Sequence, residues 1–369
     1  MSDSRRRYNA IKDKLLQLWP QQPTGRQMQS LTVLALMISG IVGSKSTQTR
    51  QVAKQAGVGG KVDSRGKRIE RWYRHDGHTY EVHYLPFVEQ LLKHLAVRTL
   101  IVAMDGSDVG RGCMAVMINL IYQKRAIPLI WTVIDRPKGH LSAEAHIELL
   151  ERLRAILPDD VSIVFLGDGE YDSIELQSYL KEQTWDYVCR TAKNTVVVVD
   201  GEQFHLADSD IWPGERLSFP DASFTHQGYG PVHVIIWWDR SYKEPIFLVT
   251  NLELVAEACG LYQRRMRIET FFSDQKSRGF RLDKSHISDP QRIARLLIAA
   301  CLAYIWIIYL GVQAHLQGWR TIIHRADRCD LSLFQLGLDL LDHFLNEDLT
   351  IDIDFRLPRD LLFCYKSVR

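Results

Sequence analysis

The chain has few cysteines and does not pair them. Cys113, Cys189, Cys259, Cys301, Cys329 and Cys364 are scattered through 369 residues with no CxxC spacing. That argues against a zinc site and a disulfide framework, and it fits a reducing cytoplasm. Arg5, Arg6 and Arg7 are not followed directly by an apolar core, so no secretion signal is read. Long uncharged runs are also scarce. One, residues 296–312 (LLIAACLAYIWIIYLGV), falls short of the roughly 20 residues of a membrane span and has no companion. It reads as a helix buried in a large α/β core, and no membrane partner is expected. An apolar share of 46% allows such a core.

Charge is nearly balanced but unevenly spread. Residues 1–98 carry 17 Lys and Arg against 7 Asp and Glu, while the whole chain carries 46 against 44, so a head of +10 precedes a body of −8. A basic head on an acidic body points to a nucleic-acid-binding module joined to something else. Within the head, STQTRQVAKQAGVGGKVDSRGKRIERWYRH covers residues 46–75. Thr47 or Thr49 is expected to cap a helix through Ala56, which Gly57, Gly59 and Gly60 end. A second helix is expected from Ser64, carrying Arg65, Lys67, Arg68, Arg71 and Arg74. Such a cationic helix suits the DNA major groove, with Arg68 and Arg71 as candidate contacts. Trp72 and Tyr73 are expected to pack the helix down. Residues 31–43, rich in Leu, Ile and Met, are expected to form the head's core. QVAKQAGV resembles the first helix and turn of bacterial helix-turn-helix proteins, although the link to the second helix is longer.

The body opens on strands. Residues 99–104 form the first, with Asp105 at its end and Asp108 in the turn beyond. Residues 113–122 and 127–134 form two more. A helix capped by Ser142 follows, then a buried strand with Asp168 at its exit, and a helix capped by Asp172 or Ser173. A fifth strand, WDYVCRTAK, carries Arg190 near its exit. This is the order of a ribonuclease-H-like core, in which Asp105 and Asp168 leave neighbouring strands. Asp108, Asp135, Glu170 and Asp172 compete as ligands. Residues 195–252 change to short strands and turns and read as a mostly β insertion. Trp237 and Trp238 lie there. Strand alternation sends one into the sheet and leaves the other for base stacking.

YQRRMRIETFFSDQKSRGF, residues 262–280, reads as a helix. At about 100° per residue, Tyr262, Arg265, Glu269 and Lys276 fall within roughly a 60° sector, with Asp274 on the other side. A lone carboxylate among phosphate-binding residue types suits a metal held against a phosphodiester. A solvated face with i,i+4 pairs is the plainer alternative.

With Asp105, Asp168 and Glu269 in this order, the chain resembles the DDE transposases of bacterial insertion sequences. Tyr262, Arg265, Glu269 and Lys276 match the spacing of the YREK signature of one group. MDGS at residues 104–107 and DGEYD at 168–172 resemble that group's first and second carboxylate motifs. The resemblance implies a ribonuclease-H-like catalytic core (98–318) with an inserted β subdomain (about 195–252). An N-terminal α-helical DNA-binding domain (1–97) would precede it, and a C-terminal helical region (319–369) would follow. It implies two Mg²⁺ ions, or Mn²⁺, held by Asp105, Asp168 and Glu269. Tyr262, Arg265, Lys276 and Arg190 would contact transposon-end DNA, and Trp237 or Trp238 a flipped base. It also implies cut-and-paste chemistry on transposon-end and target DNA, a homodimer in the synaptic complex, and a bacterial cytoplasmic, nucleoid-associated location. The alternatives are a related nuclease that cuts without joining, and a transposase-derived DNA-binding regulator.

Overall fold

The computed structural model describes residues 1–135, 141–158, 160–325 and 327–359, and Cys364 lies outside them. Six helices open the chain: α1 (Asp3–Leu18), α2 (Gly25–Ser44), α3 (Thr49–Lys54), α4 (Val62–Arg74), α5 (Tyr80–His83) and α6 (Leu85–Leu95). α2 is the core of the head, and Leu31, Leu34, Met37, Ile38 and Ile41 on it are fully buried. It begins before the apolar run because Thr24 and Gln27 exchange hydrogen bonds as a capping box. Neither Thr47 nor Thr49 caps α3. Its N-cap is Gln48, without a side-chain bond, and buried Thr47 instead donates to the Arg281 carbonyl. α4 starts two residues before Ser64. Trp72 and Tyr73 are buried as expected, and the Trp72 indole N–H donates to Ser30 on α2.

Ten strands form one sheet: β1 (Thr99–Val109), β2 (Cys113–Tyr122), β3 (Arg125–Asp135), β4 (Ser162–Gly167), β5 (Asp186–Thr191), β6 (Val196–Val199), β7 (Glu202–His205), β8 (Arg216–Phe224), β9 (Tyr229–Trp237) and β10 (Ile246–Thr250). Their order is β3-β2-β1-β4-β5-β10-β9-β8-β6-β7. β1, β2 and β3 are antiparallel to one another in turn, whereas β1, β4 and β5 run parallel. α7 (Ala143–Arg154) and α8 (Ile174–Glu182) make the crossovers. β1 is longer than the 99–104 expected. Beyond Ala103 it parts from β4 and pairs with β2 alone, as far as Val109 opposite Cys113. Asp105 and Asp108 are therefore strand residues, and Asp108 is not in the turn. Residues 195–252 are mostly β, as expected, but they do not stand apart. β10 pairs with β5, and the rest continue the same sheet outward.

α9 (Val255–Arg265) and α10 (Arg267–Gln275) then return across the sheet, followed by α11 (Pro290–Leu316), α12 (Arg320–Ile323) and α13 (Leu333–Asn346). The long uncharged run lies in α11, where residues 296–312 are all buried, and contrary to expectation it has a companion, because α2 is also long and apolar enough to cross a membrane by length and composition. α11 is the central helix of the protein, packed on β3, α2, α4 and α13. A Cβ on Gly311 would strike the Leu333 carbonyl, and one on Gly337 the Ile307 carbonyl. Glycine at both positions lets α11 and α13 cross backbone to backbone. Arg6 on α1 donates to the carbonyls of Phe344, Leu345 and Leu349, and Arg295 on α11 donates to Tyr73 O and pairs with Asp76. One apolar cluster thus runs from Tyr8 to Leu357.

Candidate active site

β1 and β4 are registered side by side up to Ala103 opposite Leu166. Two residues further, β1 presents Asp105 and the chain leaving β4 presents Asp168. Adjacent parallel strands thus bring the two carboxylates together, although 62 residues separate them in sequence. The Asp105 side chain is 16% exposed, and its Oδ1 accepts the Gly106 N–H at 2.7 Å. Burial, reinforced by the charge of Asp168, pushes its carboxyl up to about 6, while Arg265 opposes the shift. Asp168 Oδ1 accepts the Glu170 N–H at 3.0 Å.

The third carboxylate arrives differently from the single-helix reading. The 262–276 segment breaks at Met266 (φ −55°, ψ −11°), which separates α9 from α10. One helical sector therefore does not describe it, yet most of the group still converges. Glu269 lies in the first turn of α10 with its side chain half exposed. Arg265, the last residue of α9, reaches it with Nη2 at 3.1 Å from Oε1 and approaches Asp105 Oδ2 with Nη1 at 3.5 Å. The guanidinium carbon is 5.7 Å from the centroid of the Tyr262 ring. Burial pulls the guanidinium down, but Tyr262, Asp105, Asp168 and Glu269 together hold it above its usual value. It remains a cation.

Tyr262 and Arg265 are only 5% and 6% exposed, so both are buried at the α9–α10 junction rather than ranged along one outward helix face. Lys276 is no helix-face residue. It closes α10, and its Nζ donates to Ser107 Oγ at 2.7 Å, tying the helix end to β1. Asp274 does lie on the opposite side, buried, with Arg125 Nη1 at 2.9 Å. Burial pushes its carboxyl up to about 6 against the pull of Arg125.

The remaining candidates sort cleanly. Arg190, on β5 opposite Leu248, places its charge near Tyr262. Glu170 is engaged by the Leu141 N–H at 3.1 Å and by His146 at 3.6 Å. Ser173, not Asp172, caps α8, accepting the Leu176 N–H. Asp172 is half-buried, its carboxyl pushed up by desolvation while a bond from Thr191 opposes the shift. Asp135 ends β3 opposite Cys113. Trp237 is buried at 2% with Arg216 over its ring, so it is the tryptophan that packs into the sheet. Trp238 is half-buried, its indole N–H on Tyr242 O at 3.2 Å. Arg68 and Arg71 line an open cavity of about 790 Å³ with Arg26, Trp72, His75 and His78, and no carboxylate is among its lining residues.

Sequence reasoning missed Ser107, Arg125 and Trp212. Ser107 stands in MDGS, but nothing local shows that Lys276 reaches it. Arg125 lies just before the strand read from Ile127, and only the fold brings it to Asp274. Trp212 is 71% exposed, and no pattern distinguishes it from the buried tryptophans.

Among the described residues, no three Asp, Glu, His or Cys side chains stand together as a ready metal site. What is present is a repelling pair, Asp105 and Asp168, with Arg265 lying between Asp105 and Glu269. Nε and Nη1 of that guanidinium are buried without a hydrogen-bond partner. Excess carboxylate charge, oxygen-only donors and an imperfectly seated organic cation fit a hard divalent ion.

Fold and site define a mixed α/β protein with a large central sheet and an acidic site beside two parallel strands. The family described as "Transposase DDE domain" matches residues 96–306, more than half of the chain. The chain belongs to this family. It is a DNA transposase, a metal-dependent enzyme that cuts and joins DNA. A solved structure described as "Cryo-EM structure of piggyBac transposase synaptic complex with hairpin DNA" is similar at a TM-score of 0.47 and 11% identity, covering 94% of this chain and 78% of that one. That likeness is too remote to carry any residue across. No curated protein matches.

Proposed function

We propose that Asp105, Asp168 and Glu269 are the metal-binding carboxylates of a ribonuclease-H-like core, in a transposase of the bacterial insertion-sequence group with the YREK signature. The observation that carries this reading is the pairing of Asp105 with Asp168 on adjacent parallel strands, with Glu269 joined to them through Arg265. The strand order β3-β2-β1-β4-β5 supports the core assignment. The ions would be two Mg²⁺, or Mn²⁺. The chemistry they supply in such a site is activation of the attacking oxygen and stabilisation of the leaving 3′ oxygen.

The chain's own residues do the rest. Asp105 and Asp168 are held by the backbone N–H groups of Gly106 and Glu170, so their oxygens are oriented before any ion binds. Lys276 and Arg190 supply positive charge beside the acidic site for the phosphates that flank the scissile bond. Trp238 is the stacking residue for a base displaced from the duplex end. The basic head (1–97), through Arg68 and Arg71, holds transposon-end DNA. Two ends brought together call for a homodimer. A 3′-OH freed by the first cut then replaces water as nucleophile, so cutting and pasting are one reaction with two nucleophiles. The cytoplasm, at the nucleoid, is the expected location.

The test is a cleavage and joining assay on a labelled duplex carrying the element's own ends, with Mg²⁺ or with EDTA. Wild type should nick and join only with Mg²⁺, and Glu269→Gln should do neither. Cleavage surviving in Glu269→Gln would remove Glu269 from the ligand set. Cutting without joined products would favour the nuclease reading.

A further inference from the structure

We infer that Arg265 is a displaceable counter-cation, which keeps the carboxylate pocket closed to divalent ions until the anionic backbone of DNA draws its guanidinium away. The inference rests on the three-carboxylate reading above. Four observations carry it. The guanidinium already lies where charge neutralisation is needed, 3.1 Å from Glu269 Oε1 and 3.5 Å from Asp105 Oδ2. It is loosely seated, because Nε is buried with no partner and Nη1 holds Asp105 only through the longer 3.5 Å ion pair, short of a hydrogen bond. A guanidinium locked for structural reasons would use those donors. It ends α9 at the break before α10, and its Nη2 also donates to Sδ of neighbouring Met266, a residue 47% exposed, so only a surface side chain covers it on that side. Finally, the two phosphate-binding candidates beside it, Arg190 and Lys276, mark the direction in which a DNA backbone would lie.

The electrostatics follow. A guanidinium among the carboxylates repels an incoming dication and occupies the oxygens it would use. A phosphate offers Nε and the weakly held Nη1 a bidentate partner. Once the guanidinium turns to it, the pocket regains the full charge of its carboxylates. Metal and DNA then favour each other's binding, and the coupling is reciprocal. The enzyme would stay weakly loaded with metal away from DNA.

The experiment is Mn²⁺ binding to the full-length, DNA-free protein, read by electron paramagnetic resonance and calorimetry. Arg265→Gln should bind Mn²⁺ about tenfold more tightly than wild type, a typical size for such couplings. Asp105→Asn should abolish the tight binding in both backgrounds. Arg265→Lys keeps the charge but bridges the carboxylates less well, and should fall between the two. It also serves as the informative variant if Arg265→Gln does not fold by circular dichroism. Adding a 30-base-pair duplex should tighten Mn²⁺ binding to wild type and leave Arg265→Gln unchanged. Equal or weaker Mn²⁺ binding by the folded Arg265 variants, still lost with Asp105→Asn, would overturn the counter-cation and leave the three-carboxylate site standing. Binding indifferent to Asp105→Asn would overturn both.

Discussion

Two buried guanidiniums face carboxylates across the same short helix, and they are built differently. Arg125 meets Asp274 at 2.9 Å, with both side chains almost fully enclosed. Arg265 meets Glu269 at 3.1 Å and Asp105 at 3.5 Å, with Glu269 half exposed and its own Nε idle. The first pair fixes α10 against β3. The second leaves charge unbalanced beside Asp168. Geometry thus separates a structural ion pair from a site. A closed pair has its partners fully engaged with each other, while an open one still has charge and donors to offer a ligand.

The largest effect expected is on chemistry. Asp105→Asn, Asp168→Asn or Glu269→Gln should each lower strand cleavage by about a thousandfold or more, since each removes several kcal/mol of metal-derived stabilisation. Single-turnover rates on end-containing duplexes measure this, and a change under tenfold would take that residue out of the site.

Next is the structural pair. Arg125→Ala leaves Asp274 buried without its partner and should cost about 3–5 kcal/mol, whereas replacing both residues with apolar ones should recover most of that. Urea unfolding reads both. The pair also has a pH signature. Burial holds Asp274 at about 6, above its unfolded value, so the folded state binds the extra proton and stability falls as pH rises from about 4 to 6. Asp274→Asn should flatten that slope, and an unchanged slope would assign it to other groups.

Smaller effects test the open side. Trp238→Ala should weaken binding to a duplex with an unpaired end base by about 1–3 kcal/mol. Trp237→Phe, inside the sheet, should leave that binding unchanged. Arg265→Gln should cost only about 1 kcal/mol of stability, because its contact with half-exposed Glu269 is screened by water. A loss as large as that of Arg125→Ala would make the two pairs equivalent and erase the distinction. Lys276→Ala should reduce the salt slope of DNA binding by about one phosphate contact.

Much of this was visible in the residues themselves. The strand at 113–122, the buried strand ending before Asp168 and the cap at Ser142 depend on local propensity and appear where expected, and of the two candidate caps Asp172 and Ser173 the structure takes Ser173. The burial of residues 296–312 followed from their composition and length. Other features were not visible, because they depend on distant partners. β1 runs on to Val109 because β2 folds back to pair with it. The strands after Thr191 join the central sheet because β10 finds the edge of β5. The helix through Glu269 is two helices, a break that no residue between 262 and 276 announces.

The sequence alone pointed to the class of chemistry, through its resemblance to the DDE transposases at Asp105, Asp168 and Glu269, a basic head and cysteines without metal-site spacing. Periodicity and charge are properties of residue order, and no fold is needed to read them. Only the tertiary structure decided which neighbours each charged group meets. It put Asp105 beside Asp168, turned Arg265 inward, closed Trp237 into the sheet and gave Lys276 to Ser107. Those outcomes depend on strand register and helix docking. The free energy behind them comes from apolar surface spread over the whole chain, which no short stretch encodes.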